Sequence, residues 1–260
     1  MKDIPQNILA VFIDFENLAL GFKDRRGRFE IERVLARLVE KGNIVVKRAY
    51  ADWKRFNDFT GGMHEAGIEL IEIPARRLTG KNSADMRLCV DAMDMSYSKP
   101  HIDTFVIVSG DSDFSPLVSK LRENNKQVIG LGMKESTSVL LRDNCDEFIF
   151  YEDLEAEAVE EPAVHAADEK QREAFRILLE SLQALRRENR DVLWSSLIKT
   201  TIKRKRPSFN EAAYGYKSFS RLLEDAERAG VVELSRDAAN RTYIVTQFGL
   251  ELAGGKRKTR

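Results

Sequence analysis

The 260-residue chain is 43% hydrophobic and 32% charged, with 42 Lys/Arg against 42 Asp/Glu, which suits one large or two modest globular domains and excludes a disordered or fibrous chain. No stretch approaches the roughly 18 continuous apolar residues of a membrane span, and no basic region followed by an apolar run opens the sequence, so a cytoplasmic location is expected. Two cysteines (Cys89, Cys145) and three scattered histidines (His64, His101, His165) build neither a disulfide framework nor a Cys/His zinc site, leaving carboxylates to hold any metal.

In chain order, short apolar runs alternate with helical patterns through the first 150 residues. Strands are expected at Ile8–Asp14, Ile44–Ala51, Ile68–Ile73, Thr104–Ser109, Gln127–Leu131 and Glu147–Tyr151, and helices at about Glu30–Glu40, Arg55–Ala66, Ala84–Tyr97, Ser115–Asn124 and Thr137–Asp143. Near-continuous apolar strands separated by helices predict an α/β three-layer sandwich around a mainly parallel sheet. Glu152–Glu169 is acidic, Ala-rich and broken by Pro162, as an exposed linker would be. Amphipathic patterns follow at Gln171–Arg187, Val192–Lys203 and Tyr216–Ala229, the last stopped by Gly230. Val231–Ser235 and Thr242–Thr246 alternate like a hairpin around Arg236–Arg241, so a small winged helix-turn-helix is expected.

The neutral total charge hides a gradient. Residues 1–150 carry 22 Lys/Arg against 23 Asp/Glu, residues 151–170 one against eight, and residues 171–260 nineteen against eleven. The expected division is a domain at 1–152, an acidic linker at 153–170, a second domain at 171–248 and a basic tail at 249–260, the basic part being the candidate nucleic-acid binder.

Ligands of an open parallel sheet gather outside the carboxyl ends of its strands, where strand order reverses. Asp14 ends the first expected strand (FIDFEN), and Asp111 and Asp113 follow the fourth (VIVSGDSDF). If those strands are neighbours the three carboxylates converge, and Asp85 joins them from the helix after LTGKNS. Such a group repels itself unless a cation neutralises it, and Mg²⁺ or Mn²⁺ with oxygen ligands is the simplest remedy. A metal-held water would then attack a phosphodiester, with Asn17 and Ser109 orienting water or phosphate and Lys81 pairing a phosphate oxygen. Against this, a single Asp at a strand end is more often a helix cap, and Ser112 and Asp113 suit the N-cap of the helix through Pro116. Cys89 and Cys145 are expected as reduced, partly buried thiols, and Phe12, Phe15, Phe105 and Phe114 as core. Asp91, further along the helix of Asp85, lies on a solvated face or reaches the rim of the site.

FIDFENL (Phe12–Leu18), KNSADMRLCVDAM (Lys81–Met93) and VIVSGDSDFSPLV (Val106–Val118), in this order, resemble the NYN domain, a branch of the PIN-like metal-dependent ribonucleases. The resemblance covers about residues 5–152. It implies metal-coordinating carboxylates at Asp14, Asp85, Asp111 and Asp113, a matching polar position at Asn17 and a second helix acid at Asp91.

In the C-terminal part, LWSSLIKTTIKRKRPSFNEAAYGYKSFSRLLEDA (Leu193–Ala226) resembles the LOTUS, or OST-HTH, domain through Pro207, Phe209, Tyr214, Gly215, Phe219, Leu222 and Leu223. This resemblance implies RNA engagement. From the residues themselves, Lys203, Arg204, Lys205 and Arg206 are four adjacent cations suited to a phosphate backbone, with a solvated helix end as the plainer reading.

The expected function is therefore a Mg²⁺- or Mn²⁺-dependent endoribonuclease with a C-terminal RNA-binding module. Its rival is a catalytically silent RNA-binding adaptor. A phosphatase of the haloacid dehalogenase type fits poorly, because Glu16 stands where a second Asp would follow Asp14. Single-stranded DNA as a further substrate and a homodimer are left open.

Overall fold

The computed structural model describes residues 7–22, 29–73, 83–155, 168–237 and 242–249, and the chain divides into two compact units, Met1–Glu157 and Ala158–Arg260. The acidic stretch 156–167, the tail from 250 and the expected phosphate-binding Lys81 lie outside the described residues.

Unit 1 is built on six parallel strands: β1 (Asn7–Asp14), β2 (Gly42–Ala51), β3 (Glu69–Glu72), β4 (Thr104–Val108), β5 (Gln127–Gly132) and β6 (Glu147–Phe150), in the order β3-β2-β1-β4-β5-β6. Between them run α1 (Phe15–Phe22), α2 (Ile31–Lys41), α3 (Asn57–Glu65), α4 (Ser83–Ser98), α5 (Ser115–Glu123) and α6 (Val139–Asn144), with α7 (Tyr151–Glu155) after β6. The period-two alternation of a strand sorts β1 between two cores. Leu9, Val11 and Ile13 pack with Leu18 of α1, Val34 and Leu38 of α2 and Met63 of α3. Ala10 and Phe12 pack on the opposite face with Leu88 and Ala92 of α4 and Val118 and Leu121 of α5. Phe12, Phe15, Phe105 and Phe114 are buried in these cores, as expected.

Two local expectations are corrected. α1 begins directly after β1, whereas no helix was expected there, because the apolar run of β1 continues without interruption into FENLALGF. The cap before α5 is also displaced. Asp111, rather than Ser112 or Asp113, caps a single 3-10 turn (Ser112–Phe114) by accepting from the Asp113 amide, and α5 starts after it with Pro116 in its first turn.

Unit 2 contains α8 (Glu169–Arg187), β7 (Leu193–Trp194), α9 (Ser195–Lys205), a 3-10 turn (Glu211–Tyr214), α10 (Phe219–Arg228), β8 (Val232–Arg236) and β9 (Tyr243–Phe248). Its strands are antiparallel in the order β7-β9-β8. The apolar stripe of α8, including Phe175, Leu178 and Leu182, closes over Ile198, Ile202, Phe209, Phe219, Leu222 and Leu223. Asp168 and Ser218 cap α8 and α10 by accepting amide N–H groups. Gly230, at φ +71°, ends α10 in the left-handed conformation that glycine adopts without a Cβ penalty. No helix among the described residues is long and apolar enough to cross a membrane.

Candidate active site at the switch point of the sheet

Strand order reverses between β1 and β4, whose register pairs Ile13 with Val108. One residue further on, this register sets Asp14 beside Ser109. The Ser109 hydroxyl donates to Asp14 Oδ2 at 2.9 Å, and the Asn17 amide donates to Asp14 Oδ1 at 3.2 Å. Asp14 therefore caps the first turn of α1 while its carboxylate is held at the carboxyl edge of the sheet. Ser109 Oγ also accepts from the Asp111 amide at 3.2 Å, and Asn17 Oδ1 accepts from the Gly110 amide at 2.9 Å. Gly110 is constrained sterically: a Cβ there would stand 2.7 Å from the Ser136 carbonyl oxygen.

The electrostatics of these groups show which carboxylates are neighbours. Burial pushes Asp14, only 4% exposed, up to about 7, helped by the charges of Asp85 and Asp111 and opposed by the bonds from Ser109 and Asn17. Asp85, in the first turn of α4, is raised to about 6 by burial and by Asp111, Asp113 and Glu16. No Lys or Arg is among the described groups that shift either carboxyl. One turn beyond Asp85, the half-buried Cys89 thiol is pushed up to about 11 by burial and by Asp85 and Asp113, so it is a protonated thiol near neutral pH.

The structure thus brings Asp14, Asp85, Asp111, Asn17 and Ser109 into one neighbourhood, with Asp113 exposed on the side of Asp85. Among the described residues, however, no group of three His, Cys, Asp or Glu side chains forms a ready metal cage. The expected four-carboxylate ligand set is present as a mutually repelling cluster, without ligating geometry. Its donors are oxygens, and no Lys or Arg among the described groups offsets the charge of Asp14 or Asp85, so in chemistry it suits a hard divalent cation.

Asp91 belongs to a different network. It accepts from the Tyr50 hydroxyl at 2.9 Å and from Arg87 Nε at 3.0 Å, and lies 3.6 Å from Arg48. Its charge is thereby tied to two guanidinium groups and to a phenol whose own pKa is raised by burial and by this bond.

Two acids, Glu16 and Asp52, were not expected among the site residues. Glu16 raises the pKa of Asp85, accepts from the Asp52 amide at 3.2 Å and lies 3.8 Å from Arg55. Asp52 is buried directly after β2, and its Oδ1 has no hydrogen-bond partner among the described residues. The available signals were Glu16 two residues beyond Asp14 and an acid at the end of a strand adjacent to β1.

The sheet order, the carboxyl-edge placement of Asp14 and Asp111, and the helix acid Asp85 coincide with a match of residues 8–154 to the NYN domain. The chain belongs to the NYN domain family. NYN domains are part of the PIN-like nuclease superfamily, and the α/β unit with its six-stranded parallel sheet fits that assignment. The NYN chain is 27% identical over 138 residues to an uncharacterized protein of Methanocaldococcus jannaschii, covering 53% of this chain and 52% of that protein. It therefore spans about half the length of this relative. It is also similar to the crystal structure of a protein of unknown function from Vibrio parahaemolyticus, with a TM-score of 0.52 and 25% identity over 59% of this chain and 98% of that one.

The basic cluster of unit 2 divides by geometry. Lys203 is exposed in the last turn of α9, while Arg204, Lys205 and Arg206 are partly buried. Arg206 lies 3.0 Å from Glu173 and 3.1 Å from Glu180, both on α8, and Arg176 joins the same two carboxylates. Of the four adjacent cations expected to suit a phosphate backbone, Arg206 is thus ion-paired with α8 through its guanidinium.

Proposed function

We propose that the NYN chain is a metal-dependent endoribonuclease that hydrolyses RNA phosphodiester bonds with the carboxylates of unit 1. The observation that carries this reading is the mutual repulsion among Asp14, Asp85 and Asp111 at the sheet's switch point, offset by no Lys or Arg among the described groups that act on Asp14 and Asp85. A bound Mg²⁺ or Mn²⁺, held by Asp14, Asp85 and Asp111 with Asp113 alongside, would supply an activated water and offset charge on the phosphate. The chain's own second layer does the positioning. Ser109 and the Asn17 amide fix both oxygens of Asp14, and the Asn17 side chain pins the Gly110 backbone that carries Asp111.

Residues 171–248 are assigned to RNA binding as a LOTUS-type winged helix. The order helix, strand, helix, helix, hairpin and the three-stranded β7-β9-β8 sheet support this, as does exposed Lys203.

The test uses a circular RNA, which only an endonuclease can open, and single-stranded DNA, each with Mn²⁺, Mg²⁺ or chelator. Opening of the RNA that is lost on chelation and in the Asp14→Asn, Asp111→Asn double variant is expected. Undiminished cleavage by the double variant overturns the assignment, and RNA binding by the native chain without cleavage in any metal establishes the adaptor instead.

A further inference from the structure

Helix α4 has two apolar faces. Ala84, Leu88, Ala92 and Met95 are buried toward the sheet. On the opposite side Met86, Val90 and Tyr97 are 63%, 63% and 66% exposed, with half-buried Met93 in line between them. At 100° per residue these four fall within a narrow stripe. Met93 also packs partly against the core and the Tyr97 hydroxyl donates to Asn124, while Met86 and Val90 stand clear of the core. Their separations are four, three and four residues, a pattern that reads identically from either end of the helix.

We propose that α4 pairs with α4 of a second copy of the chain, antiparallel about a two-fold axis. Reversal of the 4-3-4 spacing sets Met86 against the partner's Tyr97 and Val90 against the partner's Met93, as an isologous contact requires. Charge placement agrees. Arg87 and Asp94 lie seven residues apart on the same flank of the stripe, and antiparallel helices about a two-fold bring like flanks together, so each Arg87, whose Nε also donates to Asp91 of its own chain, approaches the partner's Asp94. The contact is self-complementary in both apolar pattern and sign.

Four side chains on a 16-residue helix make a contact smaller than the ~800 Å² per partner of a standard interface, so the dimer is weak and its population rises with concentration. Asp85 lies on the opposite flank, outside the stripe, so pairing leaves the carboxylate cluster uncovered. The proposal does not depend on the nuclease reading.

Sedimentation velocity of the full chain over a wide micromolar range tests it, with thermal midpoints to confirm that each variant is folded. The native chain should pass from monomer to dimer. Val90→Asp, which places like charges near the axis at an exposed position, should raise the dissociation constant about tenfold or more. Arg87→Glu and Asp94→Lys should each weaken pairing, and the two together should restore it. A concentration-independent monomer, including one whose own second unit shields α4, overturns the proposal. So does a dimer unaffected by Val90→Asp, or a charge-swapped double variant no better than the single ones.

Discussion

Ser109 donates to Asp14 across the junction of two strands that are 95 residues apart in sequence, at 2.9 Å and out of contact with solvent. The same oxygen accepts from the Asp111 amide, so one hydroxyl orients both the acid that ends β1 and the backbone of the acid that follows β4. In Ser109→Ala the Asp14 carboxylate loses a bond that favours its ionised form, and the Asp111 amide loses its acceptor. RNA cleavage should fall roughly 10- to 100-fold, as for other partners that orient metal-binding groups. The pH at which cleavage switches on should also move upward. A pH profile of cleavage superimposable on that of the native chain would remove Ser109 from the site.

Stability without metal should depend on pH with a definite sign. The folded-state pKa of Asp14 is raised from 3.8 to about 7, so the folded chain holds this proton more tightly than the unfolded one. Its stabilising contribution is complete below the unfolded value and is lost as pH rises through about 7. In chelator, moving from about pH 5 to about pH 8 should cost unit 1 about 2–3 kcal/mol from this group, a fall of several degrees in its unfolding midpoint. Asp14→Asn should flatten that slope. Mn²⁺ at the higher pH should recover the native midpoint but not that of the variant. Calorimetry at a series of pH values decides it, and a native midpoint that climbs over this range in chelator would contradict the burial of an uncompensated Asp14.

Arg206 and Lys203, three residues apart, should separate stability from binding. Arg206→Ala breaks two ion pairs to α8 and should lower the stability of unit 2 by about 1 kcal/mol, the contributions being damped by partial solvent access. Its effect on the salt dependence of RNA affinity should be small. Lys203→Glu should lower the unfolding midpoint only slightly, through the lost surface attraction to Glu211, and flatten that dependence, because a phosphate contact releases condensed counterions. Affinity measured at several salt concentrations beside thermal unfolding distinguishes the two, and an unaltered slope for Lys203→Glu would remove this helix end from the RNA surface.

The sequence by itself determined the six strands, most of the helices between them and the placement of Asp14, Asp85 and Asp111 at element ends, because apolar periodicity and strand-end acids are local features. It could not supply strand order. The pairing of β1 with β4 follows from how the helices cover both faces of the sheet, and only that pairing sets Ser109 beside Asp14. For Asp91 the sequence left two places open, a solvated face or the rim of the site that Asp85 joins on the same helix. Asp85 and Asp91 separated because a 3.6-residue period turns one toward Asp111 and the other toward Arg48, Arg87 and Tyr50. Arg206 was likewise one cation in a run of four until the packing of α9 on α8 brought Glu173 and Glu180 within reach. In each case the decisive partner comes from a distant part of the chain, and a charge is assigned its role by the groups that folding brings next to it.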